Sequence, residues 1–264
     1  MTVYSGYPMG RPDGDARWRF TAAEFHTLWT RLGRDRLPYP LRYTPTGFFE
    51  DDLDDQSRAA VAAVLPRVTE DLHRRLTVLA EPDIRIEVAG YTDLDGHDEE
   101  PVRMHAGIRG GVGVLAVQTG DGDVHLSGVV AAAIPAEIAS SLPRFAAGTR
   151  PALRFRRDEF DSGDGRLLTS VGSVGGRDAA RVLLTRRRAG VGEITVFAGA
   201  AYDSRPTTDG ASLHWVDVAG DGRYLLHGDP DVTVEPVTEA RTTDRIARLV
   251  DAAEPIGRRP RPTL

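Results

Sequence analysis

Two nine-residue stretches, "GDGDVHLSG" from Gly120 and "GDGRYLLHG" from Gly220, share glycines at their first, third and ninth positions, Asp at the second and Leu at the seventh. Each sits between runs of alternating apolar residues, with Val124 and Leu126 in the first and Tyr224 and Leu226 in the second. Asp-Gly readily supplies the positive φ angles of a tight hairpin, so both stretches read as turns between antiparallel strands rather than as phosphate or metal loops. A hairpin that recurs with matching flanks constrains the chain to a fold that uses one construction twice. A third Gly-Asp-Gly, at 163–165, lacks those flanks.

The elements around the hairpins repeat as well. Val68, Leu72, Leu76 and Leu79 recur at helical spacing, and Ile84, Ile86 and Val88 then alternate as in a strand. Three β-patterned runs follow within "PVRMHAGIRGGVGVLAVQTGDGDVHLSGVVAAAIP", and "IPAEIASSLPRF" reads as a helix with Pro135 in its first turn. After residue 176, "RDAARVLLTRRRAG" is helical with Ala180, Leu183, Leu184 and Arg187 on one side, and "GEITVFAG", "ASLHWVDVAGDGRYLLHG" and "VTVEPV" are strands. Finally "TTDRIARLVDAAEP" has Thr243 as a cap, Ile246, Leu249, Val250 and Ala253 on one face, and Pro255 as a stop.

Helix, strands and helix thus occur at about 68–142 and again at about 177–253, with 146–176 as a connector. The expectation is an α+β fold, quasi-two-fold symmetric, in which two sets of antiparallel strands form one continuous or closely packed sheet flanked by helices. Residues 20–256 form one domain on this reading, between a loose arm at 1–19 and a basic tail, "GRRPRPTL", at 257–264.

The first helix is well specified. In "FTAAEFHTLWTRLG", Thr21 and Glu24 make a capping box, Phe20 and Phe25 a hydrophobic staple, and Gly33 a left-handed stop. Phe25, Leu28, Trp29 and Leu32 form one apolar stripe, which places Trp29 in a core rather than in an aromatic binding patch with His26. The prolines of "LPYPLRYTPTGFF" favour extended backbone, and the acidic "EDDLDDQS" opens a second helix that ends at Pro66.

Several function classes drop out. The formal net charge of −6 argues against nucleic acid or an anionic membrane as partner. No run approaches the ~18 apolar residues of a membrane span, and the first residues lack the basic-then-apolar pattern of a secretory leader, so a cytoplasmic protein is expected. With no cysteine there is no disulfide, thiolate metal site or Cys nucleophile. The seven histidines make no HExxH, and neither a G-x-S-x-G elbow nor a phosphate loop occurs. "GVGVLA" at 111–116 matches a dinucleotide fingerprint only in letters, since a Val-rich strand continues where that motif needs a helix. No catalytic residue, cofactor or metal ligand is assigned.

The acidic stretch "TDLDGHDEEP", Thr92–Pro101, is unlike any other loop in the chain. Its Gly96 and its strand flank are wrong for an EF-hand, so it reads as a solvated or partner-binding loop. The alternative is a hydrolase or transferase using the Asp93 to Glu100 carboxylates with His97 or His105.

Two segments carry a family resemblance: "FTAAEFHTLWTRLGRDRLPYPLRYTPTG" is similar to an opening "F…LW..LGL…PYPL", and "SLHWVDVAGDGRYLLH" to a closing "l.w.D…GRyl" hairpin. In their order and spacing they resemble the EspG family, cytosolic specificity chaperones of type VII (ESX) secretion in mycobacteria and other actinobacteria. The resemblance implies a central antiparallel β-sheet flanked by helical bundles, in a non-enzymatic protein that binds the exposed apolar tip of a PE–PPE substrate pair and keeps it soluble before export. It further implies contact through one sheet face, the loop after the second strand and the C-terminal helices. With "YPLRY" as first strand and "IRIEVAGYT" as second, the implied protein-binding residues are Thr92, Asp93, Asp95, His97, Asp98, Glu99, Glu100, Ile246 and Leu249. The sequence is compatible with a monomer or a homodimer, and no cofactor is implied.

Overall fold

The alternation from Ile84 becomes one of two strands at the middle of a ten-stranded antiparallel sheet. The computed structural model describes residues 16–45, 50–94, 99–158, 174–201 and 209–253. In chain order the elements are β1 (Ala16–Phe20), α1 (Ala22–Arg31), α2 (Glu50–Val64), a 3-10 turn (Leu65–Arg67), α3 (Glu70–Ala80), β2 (Ile84–Thr92), β3 (Glu100–Arg109), β4 (Val112–Gln118), β5 (Val124–Val130), a second 3-10 turn (Ala131–Ala133) and α4 (Ile134–Ser141). The second series is β6 (Leu153–Arg156), α5 (Val174–Leu184), β7 (Arg188–Ala198), β8 (Ala211–Val218), β9 (Gly222–His227), β10 (Asp231–Pro236) and α6 (Glu239–Ala253).

The sheet order is β1-β5-β4-β3-β2-β7-β8-β9-β10-β6. Read outward from the β2–β7 seam it is the same twice: a four-strand meander, then the strand that opened that half. β2 and β7 pair antiparallel from Ile84↔Ala198 to Thr92↔Gly190, with Val88↔Ile194 at the centre. The duplicated construction is therefore present in the strand order.

The two Gly-Asp-Gly turns do not occupy equivalent places in it. The turn at 120 joins β4 to β5, the third and fourth strands of its meander, whereas the turn at 220 joins β8 to β9, the second and third. The counterpart of the latter is the turn at Gly110 and Gly111, where both residues take positive φ. Gly122 and Gly220 also have positive φ, so the shared letters report what a tight turn needs rather than descent from one hairpin.

Helix starts follow their caps. Thr21 accepts from the Glu24 main chain while the Glu24 carboxylate accepts from the Thr21 N–H, and the Phe20 and Phe25 rings lie 6.4 Å apart. α6 begins earlier than Thr243 suggests: Thr238 Oγ1 accepts from the Arg241 N–H at 3.3 Å, and Thr243 lies inside the helix, its hydroxyl turned back to Glu239 O. Thr243 satisfies its hydroxyl within the preceding turn, which a residue in a helix interior can do without capping anything. Three further expectations change. Residues 16–19, assigned to the arm, pair with β5 as an edge strand; "YPLRY" is not a strand; and the connector contains β6 and the start of α5.

The two faces of the sheet are covered differently. On one face α4 and α6 pack on each other and over the centre, burying Ile84, Ile86, Val88, Met104, Ile194, Leu213 and Trp215. On the other, α1 and α3 bury Phe25, Trp29, Leu72 and Leu76 against β4 and β5. Leu183 of α5 packs with Val216, Val218 and Tyr224 at the opposite end of that same face. The middle of the second face is polar.

Candidate functional site

The polar middle follows from strand periodicity. On β2 the residues alternating with Ile84, Ile86 and Val88 are Arg85, Glu87 and Ala89, and the register carries each to partners on both sides. One row across the sheet reads Arg103–Ala89–Glu193–His214, and the next reads His105–Glu87–Thr195–Ser212. Side chains two apart along a strand share a face, so these rows form a polar strip between the helices at either end.

The second row is mostly closed. Arg85 Nε donates to Glu87 Oε1 at 2.7 Å, the Arg85 guanidinium lies 4.1 Å from the centre of the Phe197 ring, and both ionised side chains are buried. His105 is 2% exposed, and its Nδ1–H donates to Tyr39 O at 2.8 Å. Burial holds its imidazole down to about 4. The Pro-rich segment is thus a cover laid across β3 and β4, fixed by His105 on one strand and Gln118 on the other. Gln118 accepts from the Arg42 N–H at 2.9 Å and donates to Arg42 O at 2.6 Å.

The first row is open. A cleft of about 470 Å³ lies over Ala89 and Gly90, walled by Tyr39, Arg42, Tyr91, Arg103, Glu193 and His214. Tyr39 and Tyr91 are 40% and 45% exposed. Gly90 and Gly192 leave room for the Trp215 ring against the sheet backbone on the other face. A Cβ on Gly192 would stand 2.0 Å from Trp215 Cη2, and one on Gly90 2.6 Å from Cζ2. Glu193 accepts from the hydroxyls of Ser212 at 2.6 Å and Thr195 at 2.9 Å. Burial pushes its carboxyl up, but those two bonds outweigh it and hold the group below its ordinary value. Arg103 is held below its ordinary value by burial first and by the charge of Arg42 second.

The acidic loop leaves the sheet beside this cleft. Thr92 closes β2 and pairs with Glu100, and the loop base is tied to the start of β7 by the Leu94 N–H donating to Ala189 O at 3.1 Å. Asp93 takes a left-handed φ of 55°, which Asp tolerates better than most residues. Asp93, Glu99 and Glu100 are exposed and Thr92 half-buried, while Asp95, His97 and Asp98 lie outside the described residues. His105 does not meet these carboxylates: it is five residues along β3 from Glu100, about 17 Å at strand rise, under the Tyr39 cover. Among the described residues no three His, Asp or Glu side chains are grouped as a metal would need.

The two C-terminal residues separate. Ile246 is fully buried in the main core, so it anchors α6 and is not a contact surface. Leu249, one helical turn on, lines a second cleft of about 780 Å³ with Phe155, Leu184, Leu226, Arg245 and Arg248. An apolar stripe identifies the buried side of a helix, but its edge rather than its middle is what a partner can touch. Sequence reasoning also missed Tyr39, Arg42, Tyr91, Arg103 and His214. The signal available for three of them was charge or aromaticity at alternate positions of otherwise apolar strands, Tyr91 on β2, Arg103 on β3 and His214 on β8.

The sequence model of the EspG family matches residues 21–248. No curated protein matches the chain. Among solved structures the fold is similar to that of the Mycobacterium tuberculosis type VII secretion system chaperone EspG5, determined in complex with the PE25–PPE41 dimer. The TM-score is 0.59 at 17% identity, over 91% of this chain and 98% of that one. No helix among the described residues is long and apolar enough to cross a membrane.

Proposed function

Because the chain belongs to the EspG family, we propose that it is a cytosolic specificity chaperone of a type VII (ESX) secretion system, which binds a PE–PPE-like substrate and keeps it soluble before export. The observation that carries this reading is the family match over residues 21–248, joined by a fold shared along nearly the full length of a chaperone captured with such a pair.

The work requires no bond-making. A protein that binds the folded client lowers the free concentration of its exposed apolar tip by mass action, and aggregation falls with it. ATP has no part in that equilibrium. The proposed contact surface joins the open strip and its cleft to the loop at Thr92, Asp93, Asp95, His97, Asp98, Glu99 and Glu100, with Leu249 at the edge of α6. The carboxylates of the loop act chiefly on encounter, raising the association rate with a client that presents positive charge and leaving most of the affinity to apolar contact.

Co-expression with the PE–PPE pairs of its own genome tests the reading. The expected result is a stable complex of the chain with one pair, in fixed stoichiometry by light scattering after size exclusion. If every such pair stays aggregated or elutes apart from the chain, the reading is wrong.

A further inference from the structure

Several enclosed arginines of this chain hold a carboxylate: Arg75 with Asp71, Arg85 with Glu87, Arg186 with Asp221, Arg223 with Asp217 and Arg245 with Glu235. Half-buried Arg103 and exposed Arg42, neighbours on the wall of the open cleft, hold none among the described residues. Their placement is imposed by the fold. Gln118 is the direct cross-strand neighbour of Arg103 and clamps the Arg42 main chain through both of its amide bonds. The carboxylate in the same row, Glu193, lies two strands away, about 10 Å at sheet spacing, and is already held by Ser212 and Thr195. Glu99 and Glu100, the described carboxylates at the end of the acidic loop, are exposed, and no ion pair among the described residues joins them to either arginine.

We propose that the Arg42–Arg103 pair is a receptor for acidic side chains, so that the cleft selects client proteins whose docking segment carries carboxylates. Two neighbouring guanidiniums repel one another until an anion lies between them, and guanidinium–carboxylate bonds are charge-assisted and directional. Tyr39 and Tyr91 give the walls apolar area for the stem of the incoming side chain. Ala89, between Arg103 and Glu193 in the row, leaves the floor free. That the bearer of the carboxylates is a secreted client rests on the chaperone reading; the anion preference itself does not.

Three helical peptides, identical except for two Glu, two Gln or two Lys placed four residues apart, separate these claims. Binding is followed by fluorescence anisotropy and by the side-chain Nε–Hε resonances of Arg42 and Arg103. The Glu peptide should bind about tenfold tighter than the Gln peptide, and the Lys peptide weakest of the three. The preference should disappear in R42A/R103A and in R103Q, with unchanged circular dichroism. Equal binding of Glu and Gln peptides, or a preference that survives both variants, overturns the proposal. A Glu preference without capture of any PE–PPE pair would instead leave the acid receptor standing and defeat the chaperone reading.

Discussion

His105 and His214 hold corresponding places in the two halves: each lies directly across from a glutamate of a central strand, Glu87 on β2 and Glu193 on β7. Their surroundings differ completely. His105 is sealed beneath the Tyr39 segment, while His214 is exposed on the wall of the cleft. The same pairing that one half uses inside its core is presented by the other as surface, and the site lies where that difference falls.

Stability should fall as the solution is acidified from about pH 6.5 to 4. His105 titrates near 4 in the fold and near its ordinary 6.5 when unfolded, so the unfolded chain takes up the proton first. The stability present above pH 6.5 is lost across that window, by about 3 kcal/mol in all. Urea melts at intervals of pH, compared with His105→Asn, should show the steeper loss in the parent protein. Equal slopes would contradict it.

Asp221 sets a second, lower window. Burial pushes its carboxyl up, but the main-chain N–H and hydroxyl of Thr149, the Tyr224 hydroxyl and Arg186 together hold it down to about 2. That contribution is complete above pH 4 and disappears as pH falls toward 2. An Asp221→Asn variant should lose stability at neutral pH and change less on acidification below pH 4.

Replacing Asp98, Glu99 and Glu100 together by Ser should leave the melting temperature within about a degree, because Glu99 and Glu100 are exposed. The association rate with the client should drop at low salt and converge on that of the parent at high salt. Stopped-flow binding at two ionic strengths decides it, and identical rates at low salt would remove the loop from the encounter.

Gly192→Ala should destabilise the protein by about 2 kcal/mol or more, since the new methyl meets the Trp215 ring at 2.0 Å and the ring must move. Thermal denaturation measures it.

Asp217→Ala should cost about 4 kcal/mol, because Arg223, which meets Asp217 in two bonds of 2.7 Å, would be left charged and buried. The same arginine donates to Pro143 O at 2.8 Å, and its main chain bonds Ala146 and Gly148. Amide exchange at Gly148 should therefore rise in the variant.

The sheet was legible wherever apolar residues alternate without interruption, as at Ile84, Ile86 and Val88. β1 and β6 were not, because "ARWRF" and "LRFR" carry arginines on their outer side and resemble charged linker. Edge strands are short and polar for a physical reason, which is to discourage further pairing. The cleft was illegible for a different reason. Arg42 and Arg103 are brought together by Gln118, and nothing local to any of the three announces that contact. Ile246 and Leu249 fall on the same stripe in sequence, and only the packing of α6 on α4 decides which is enclosed.

The β2–β7 seam has one further consequence. Its nine residue pairs run antiparallel about Val88 and Ile194, and α4 crosses α6 beside it, so each half offers its counterpart the elements it receives in return. That reciprocity is the contact pattern of an isologous homodimer. The strand order thus places within one chain a contact pattern that a dimer makes between two, and its two Glu–His rows face opposite conditions: one is interior, and the other lies open on the wall of the cleft.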